Sequence, residues 1–176
     1  MIERRTLLKG IGAGLGLSLT PELAMGQGGI KVGDLLVRID DPMKQPLSPA
    51  EIKRGAKPVI AWAIDPNDDT LRNGSPLNQI LLVRLDPSTL TSDTRSRAAD
   101  GVVAYTAICT HADCKVDDWL ADEQVLHCAC HGSKFDPKDG AKVVSGEAPR
   151  PLAALPLKLD DGQLVVAGPF TARVGF

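Results

Sequence analysis

Two short boxes, Cys109-Thr110-His111-Ala112-Asp113-Cys114 and Cys128-Ala129-Cys130-His131-Gly132-Ser133, hold all four cysteines of the chain and two of its three histidines. Thiolates and imidazoles are metal ligands, and crowding them together is costly unless a cation binds them. The chemistry they point to is therefore metal binding. Reduced to candidate ligands, the pattern is C-x-H, sixteen residues, then C-x-x-H. Two Cys and two His match a tetrahedral zinc, but Cys114 and Cys130 are then left over. Zinc fingers also present Cys-Cys and His-His pairs, whereas each box here supplies one of each. One of each per box suits two irons, with both cysteines on one and both histidines on the other.

That arrangement is the ligand set of a Rieske [2Fe–2S] centre. The runs C-T-H-A-D-C and C-A-C-H-G-S-K-F-D resemble the paired boxes of the high-potential Rieske proteins. The likeness is firm over residues 101–168 and loose over the sixty before them. It implies an all-β Rieske fold: an antiparallel β-sandwich with a small cluster-binding subdomain at about residues 105–150. It further implies that Cys109 and Cys128 bind the buried ferric iron and His111 and His131 the outer, redox-active iron. Cys114 and Cys130 are then expected to form a disulfide tying the two loops. Neutral histidine ligands raise the potential to roughly -150 to +300 mV, against about -400 mV for all-cysteine ferredoxins. A structural zinc module stays open as a remote alternative.

The resemblance also names residues that tune the cluster. Ser133 stands where the family has a serine that donates to a bridging sulfide. Two positions on, many members have a tyrosine that donates to a cysteine sulfur, and this chain has Phe135. The first box departs from the common C-T-H-L-G-C at Ala112 and Asp113, which thins the apolar cover near His111 and sets a carboxylate near the docking surface. The stretch 146–149, Gly-Glu-Ala-Pro, falls where the family covers the cluster with a proline-containing loop. His127, beside Cys128, is expected to point away from the ligands by strand alternation.

The surrounding chain must position these loops. At 176 residues, with 43% hydrophobic and 24% charged residues, it is long enough for one folded domain. Thirteen prolines and seventeen glycines indicate many turns and short strands. Alternating or apolar runs predict strands at 34–39, 57–64, 79–85, 101–108, 124–127 and 142–144, then a hairpin of 155–159 with 163–166 around Asp161-Gly162. Two of those strands lead directly into Cys109 and Cys128. Ser48-Pro49-Ala50-Glu51 reads as a capping box on one or two helical turns. Residues 65–78 and 86–100 read as polar connections, the second holding the basic pair Arg95 and Arg97.

The first 26 residues read as an address. Arg4-Arg5-Thr6-Leu7-Leu8-Lys9 resembles the twin-arginine export signal, and the apolar stretch 10–19 is about half the ~20 residues needed to span a bilayer. The expected mature domain is 27–176, exported to the periplasm, or membrane-anchored if the signal is retained. A net charge of -2 offers no field for nucleic acid. With only three histidines, no mononuclear iron site remains for an oxygenase, so one-electron transfer is the expected work, with substrate chemistry in a partner chain. By resemblance the chain is most similar to the small subunit of arsenite oxidase, on residues 103–105 and 146–148, and also resembles the Rieske subunit of cytochrome bc1 complexes. The large partner is then a molybdopterin protein or a cytochrome b, and the acceptor a cytochrome c or a copper protein. Because Phe135 lacks the hydroxyl that stabilises added negative charge, Phe135→Tyr is expected to raise the potential. A redox titration followed by EPR checks this, and an unchanged or lower value would contradict it.

Overall fold

The computed structural model describes residues 29–176, and the expected export signal at 1–26 lies outside the described residues. Ten strands order the described part. β1 (Leu35–Arg38), β2 (Val59–Ile64), β3 (Ile80–Arg84), β4 (Val102–Thr106), β9 (Leu157–Asp160) and β10 (Gln163–Val166) form one antiparallel sheet in the order β4-β3-β2-β1-β10-β9. β5 (Asp118–Leu120), β6 (Val125–Cys128), β7 (Ser133–Asp136) and β8 (Lys142–Ser145) form a second, smaller antiparallel sheet in sequence order. The all-β antiparallel expectation holds.

Side-chain alternation explains how the sheets stack. Along β3 the residues Ile80 and Leu82 face one core, with Leu36, Ala61, Ala63, Ala104, Leu164 and Val166. Leu81 and Val83, on the other face, join a second core with Val103, Tyr105, Leu126 and Phe135. β3 is covered on both faces, which is why it reads as a continuous apolar run rather than an alternating one. In β2 the two faces alternate as far as Ala63, with Val59, Ala61 and Ala63 buried and Ile60 and Trp62 half-buried, but Ile64 at the strand's end is buried as well. The second core holds the small sheet against the large one, and Cys109 and Cys128 belong to it.

The large sheet bends toward closure. Residues 153–155 run along the free edge of β4, where Thr106 N–H donates to the Ala153 carbonyl at 2.9 Å and Leu155 N–H to the Ala104 carbonyl at 2.9 Å. After Pro156 the same chain enters β9, at the opposite edge. Exposed hydrogen-bonding edges invite mispairing, and this segment covers one of them. The β9–β10 hairpin turns through Asp161 at φ 45° and Gly162 at φ 78°. Two successive left-handed residues make the turn whose twist matches the strands it joins.

Three connections carry local order, the first being the predicted capping box. Ser48–Glu51 forms a single 3-10 turn in which the Glu51 carboxylate accepts from Ser48 N–H at 2.7 Å and Oγ at 2.9 Å. Residues 86–100, read as a polar connection, contain a 3-10 turn at Pro87–Thr89 and a short helix, α1 (Ser92–Ser96). Five helical residues are too few to show a 3.6-residue period. Thr91 caps α1, and its own N–H donates to the Lys138 carbonyl at 3.1 Å, while Gly140 N–H donates to Thr94 Oγ1 at 2.9 Å. The segment thus brackets the two sheets together. Its basic pair has local partners: Arg97 meets Asp93, and Arg95 donates to the Pro87 and Leu90 carbonyls.

The third connection, 65–78, is pinned by Arg72. Its guanidinium meets Asp34 at 3.2 Å and Asp65 at 2.7 Å, and the Arg72 and Asp34 side chains are only 5% and 3% exposed. The Asp65 carboxyl sits below the usual range, chiefly through Asn67 N–H and its side chain, with Arg72 adding to the effect. Removing the cation leaves the Asp34 charge buried and unpaired, the costly way to break such a pair. Arg72→Leu is therefore expected to destabilise the fold by about 3–5 kcal/mol in chemical denaturation. A loss under about 1 kcal/mol, the range of surface pairs, would contradict the pinning role.

Candidate metal centre

Each box is a loop held by backbone hydrogen bonds at the end of a strand. Beyond β4, Val116 N–H donates to the Ala107 carbonyl at 2.7 Å and Cys109 N–H to the Cys114 carbonyl at 2.7 Å, so the first box returns on itself as a narrow loop. Asp113 supplies the left-handed residue the loop needs, at φ 54°. Asp tolerates that conformation better than most side chains. The second box is the connection between β6 and β7. There Cys128 pairs with Ser133 and Leu126 with Phe135, so these four side chains share the inner face. Ala129, Cys130, His131 and Gly132 form the turn, with Gly132 at φ 70°.

Alternation settles His127. It pairs with Lys134 and with Asp118 on the outer face, and its Nδ1 lies 3.2 Å from the Asp118 carboxylate. Trp119 N–H, and then His127, hold that carboxyl below its ordinary range. The third histidine points away from the ligand loops, as strand alternation predicts.

The six remaining residues come together at one tip of the molecule. Cys114 and Cys130 form a disulfide, with Cα atoms 6.5 Å apart, joining the two loops across sixteen positions of sequence. Cys109 and Cys128 are free thiols, each 1% exposed. Burial pushes the Cys128 thiol up, opposed by the N–H groups of Cys130 and His131, while the neighbouring Cys109 pushes it further up. Two buried thiols side by side become thiolates only with a cation to hold. The His111 and His131 rings meet edge-on, with centroids 4.5 Å apart and planes at 85°. His131 is exposed and the His111 side chain is 30% exposed.

Two atoms lack a partner in a telling way. His111 Nδ1 is buried and has no hydrogen-bond partner among the described residues. Its Nε2 faces outward, 3.4 Å from the Glu147 carboxylate. Ser133 is fully buried, and its Oγ accepts from Glu147 N–H at 3.1 Å and Ala148 N–H at 3.0 Å. A hydroxyl has two acceptor positions and one proton. With both acceptor positions filled, the Ser133 proton remains to donate, and no acceptor for it is found among the described residues. The third loop reaches Ser133 because Gly146, at φ 93°, lies against it; a Cβ there would collide with Ser133 Cα and N.

The Rieske [2Fe–2S] domain family matches residues 62–156, a span that contains both boxes and the third loop. The chain belongs to the Rieske family. It is 32% identical over 149 residues to the cytochrome bc1 complex Rieske iron-sulfur subunit of Streptomyces lividans, covering 81% of this chain and 85% of that one. A candidate respiratory nitrate reductase Rieske subunit of Haloferax mediterranei is 43% identical over 76 residues, 43% of this chain but only 34% of that protein. Among solved structures, the soluble domain of Rieske protein II from Sulfolobus acidocaldarius shares 25% identity over 54% of this chain and 65% of that one, with a TM-score of 0.40.

A Rieske domain carries a [2Fe–2S] cluster. The residues present fit one: two adjacent buried thiols, an orphaned imidazole nitrogen, and a serine proton without an acceptor lie around one place. Sequence reading located the boxes, the covering stretch 146–149 and, by resemblance, the disulfide. It gave no side-chain role to Glu147 beside His111, Thr110 inside the first box or Arg150 after the third loop, because their partners are distant in sequence. The Asp113 carboxylate is also not simply displayed on the surface, since it accepts the Phe176 N–H at 2.6 Å. Thiol titration of the denatured, cluster-free, unreduced protein is expected to find two reactive cysteines, Cys109 and Cys128. Four would contradict the disulfide. Reducing it is expected to cost the cluster-free protein about 3 kcal/mol by the chain-entropy account.

Proposed function

We propose that this chain is an exported one-electron relay in a multi-subunit respiratory oxidoreductase, with Cys109 and Cys128 on one iron of its cluster and His111 and His131 on the other. The observation that carries the reading is the contrast in exposure: the thiols are buried while the histidine rings stand at the tip. When bound, such a cluster supplies a one-electron couple at moderately high potential. The protein's residues do the rest. The buried thiols fix the inner iron in an apolar setting, and Ser133 offers its proton to the developing negative charge. The disulfide keeps the loops from parting as charge changes. His111 and His131, standing at the surface, would hold the outer iron where a donor and then an acceptor, a cytochrome c or a copper protein, could reach it. Substrate chemistry belongs to a larger partner chain.

Two partners have support. A cytochrome b in a quinol–cytochrome c reductase is favoured by the bc1 subunit relative, whose likeness runs over most of both chains. A molybdopterin subunit of arsenite-oxidase type is favoured by Phe135, which packs at 0% exposure beside the thiols without offering a hydroxyl, and which therefore lowers the potential available for quinol oxidation. The nitrate reductase relative supports a large reductase partner of another kind. Export by the twin-arginine route is supported by Arg4-Arg5 and by the disulfide, a bond at home in an oxidising compartment. No helix among the described residues is long and apolar enough to cross a membrane.

Affinity capture from the native cell envelope tests the reading. The reduced complex is expected to show the EPR signal of a mixed nitrogen and sulfur [2Fe–2S] cluster and to contain a large redox subunit. Haem b in the captured material assigns the first partner, and molybdenum the second. An EPR-silent protein carrying zinc would overturn the function itself.

A further inference from the structure

Residues 173–176 are tied to the first ligand loop although more than sixty positions separate them. Phe176 N–H donates to Asp113 Oδ1 at 2.6 Å. Arg150, next to the third loop, donates through Nη1 to the Arg173 carbonyl at 2.9 Å and through Nη2 to the Gly175 carbonyl. The Arg150 carbonyl in turn accepts from the hydroxyl of Thr110, a fully buried residue, at 2.7 Å. Thr110 and Asp113 flank His111 within the first box. The segment therefore grips that box on both sides of the histidine, once directly and once through Arg150.

The approach is close enough to dictate sequence. Gly175 has φ 73°, and a Cβ there would strike Asp113 Oδ1 and come within 3.5 Å of Ile108 Cγ2. The Phe176 side chain is 67% exposed, so its backbone N–H, and not its ring, makes the attachment. Asp113 itself holds an unusual left-handed backbone in an exposed loop. Its carboxylate accepts a charge-assisted hydrogen bond from Phe176 N–H.

We propose that residues 173–176 clamp the first ligand loop through Asp113, holding its carboxylate hydrogen-bonded and turned away from the histidine face. Asp113, Gly175 and the Phe176 N–H are positioning groups that act through the first box. A hydrogen bond from an amide offsets part of the carboxylate charge. Released, the carboxylate carries its full charge beside a centre that gains an electron on reduction, and it opposes that gain. The clamp therefore sets the potential as well as the position of His111, a role that rests on the assignment of His111 as an iron ligand.

The test uses the full chain with its cluster. Phe176→Pro removes the donor N–H, and Phe176→Ala keeps it while trimming the same exposed side chain. The clamp predicts a lower reduction potential for Phe176→Pro than for Phe176→Ala, with a broadened EPR signal. In an Asp113→Asn background, where no charge can be released, the two variants should have equal potentials. Gly175→Ala, which forces the segment off by a different route, should match Phe176→Pro. Equal potentials and spectra for Phe176→Pro and Phe176→Ala would overturn the clamp, and so would a difference in potential that persists in the Asp113→Asn background. Absence of any cluster signal from the unaltered protein would overturn the ligand assignment and the clamp with it.

Discussion

The tie between Cys114 and Cys130 is the constraint on which the rest of the tip depends. Neither ligand loop is long enough to bury a core of its own, and each extends beyond the end of a strand. Backbone bonds shape each loop separately: Val116 to Ala107 in the first, the β6–β7 pairing in the second. Nothing in those bonds holds one loop against the other. The disulfide does, and with the loops so joined the two histidine rings meet and the two thiols lie together in the second core. A third loop then closes over Ser133 through Glu147 and Ala148 N–H.

Behind the tip, the scaffold provides rigidity through shared strands. β3 and β4 contribute to both cores, so the large sheet cannot shift without disturbing the packing around Cys109 and Cys128. Tyr105, buried in β4, donates its hydroxyl to the Pro137 carbonyl at 2.8 Å and links that strand to the chain leaving β7. Burial pushes its phenol well above the ordinary value, so it stays a donor throughout the working pH range. Redox centres benefit from such stiffness, because a site whose ligands move little on gaining an electron needs little reorganisation.

Much of this was legible in the sequence, for reasons that can be located. The boxes were visible because metal chemistry demands rare residue types at short spacing, and the disulfide followed from resemblance to exported members of the family. β2, β3 and β4 were visible because one or two buried faces impose alternation or an apolar run. β5 and β7 were not, since three or four residues such as Asp118–Leu120 and Ser133–Asp136 carry no readable period and β7 was hidden behind the second box. α1 was missed for the same reason. The roles of Arg72, Arg150, Glu147 and Asp113 were invisible because each rests on a partner that only the fold brings near. Asp113 is the instructive case: it is exposed, as its type predicts, but only the fold shows that Phe176 N–H engages it.

The central claim is the division of ligands, thiols on one iron and histidines on the other. Pulsed EPR on the reduced protein with nitrogen-15 in its histidines reads this directly. Two strongly coupled histidine nitrogens are expected, one lost on replacing His111, one lost on replacing His131, and both retained when His127 is replaced. No strongly coupled histidine nitrogen, or the loss of one on replacing His127, would contradict it.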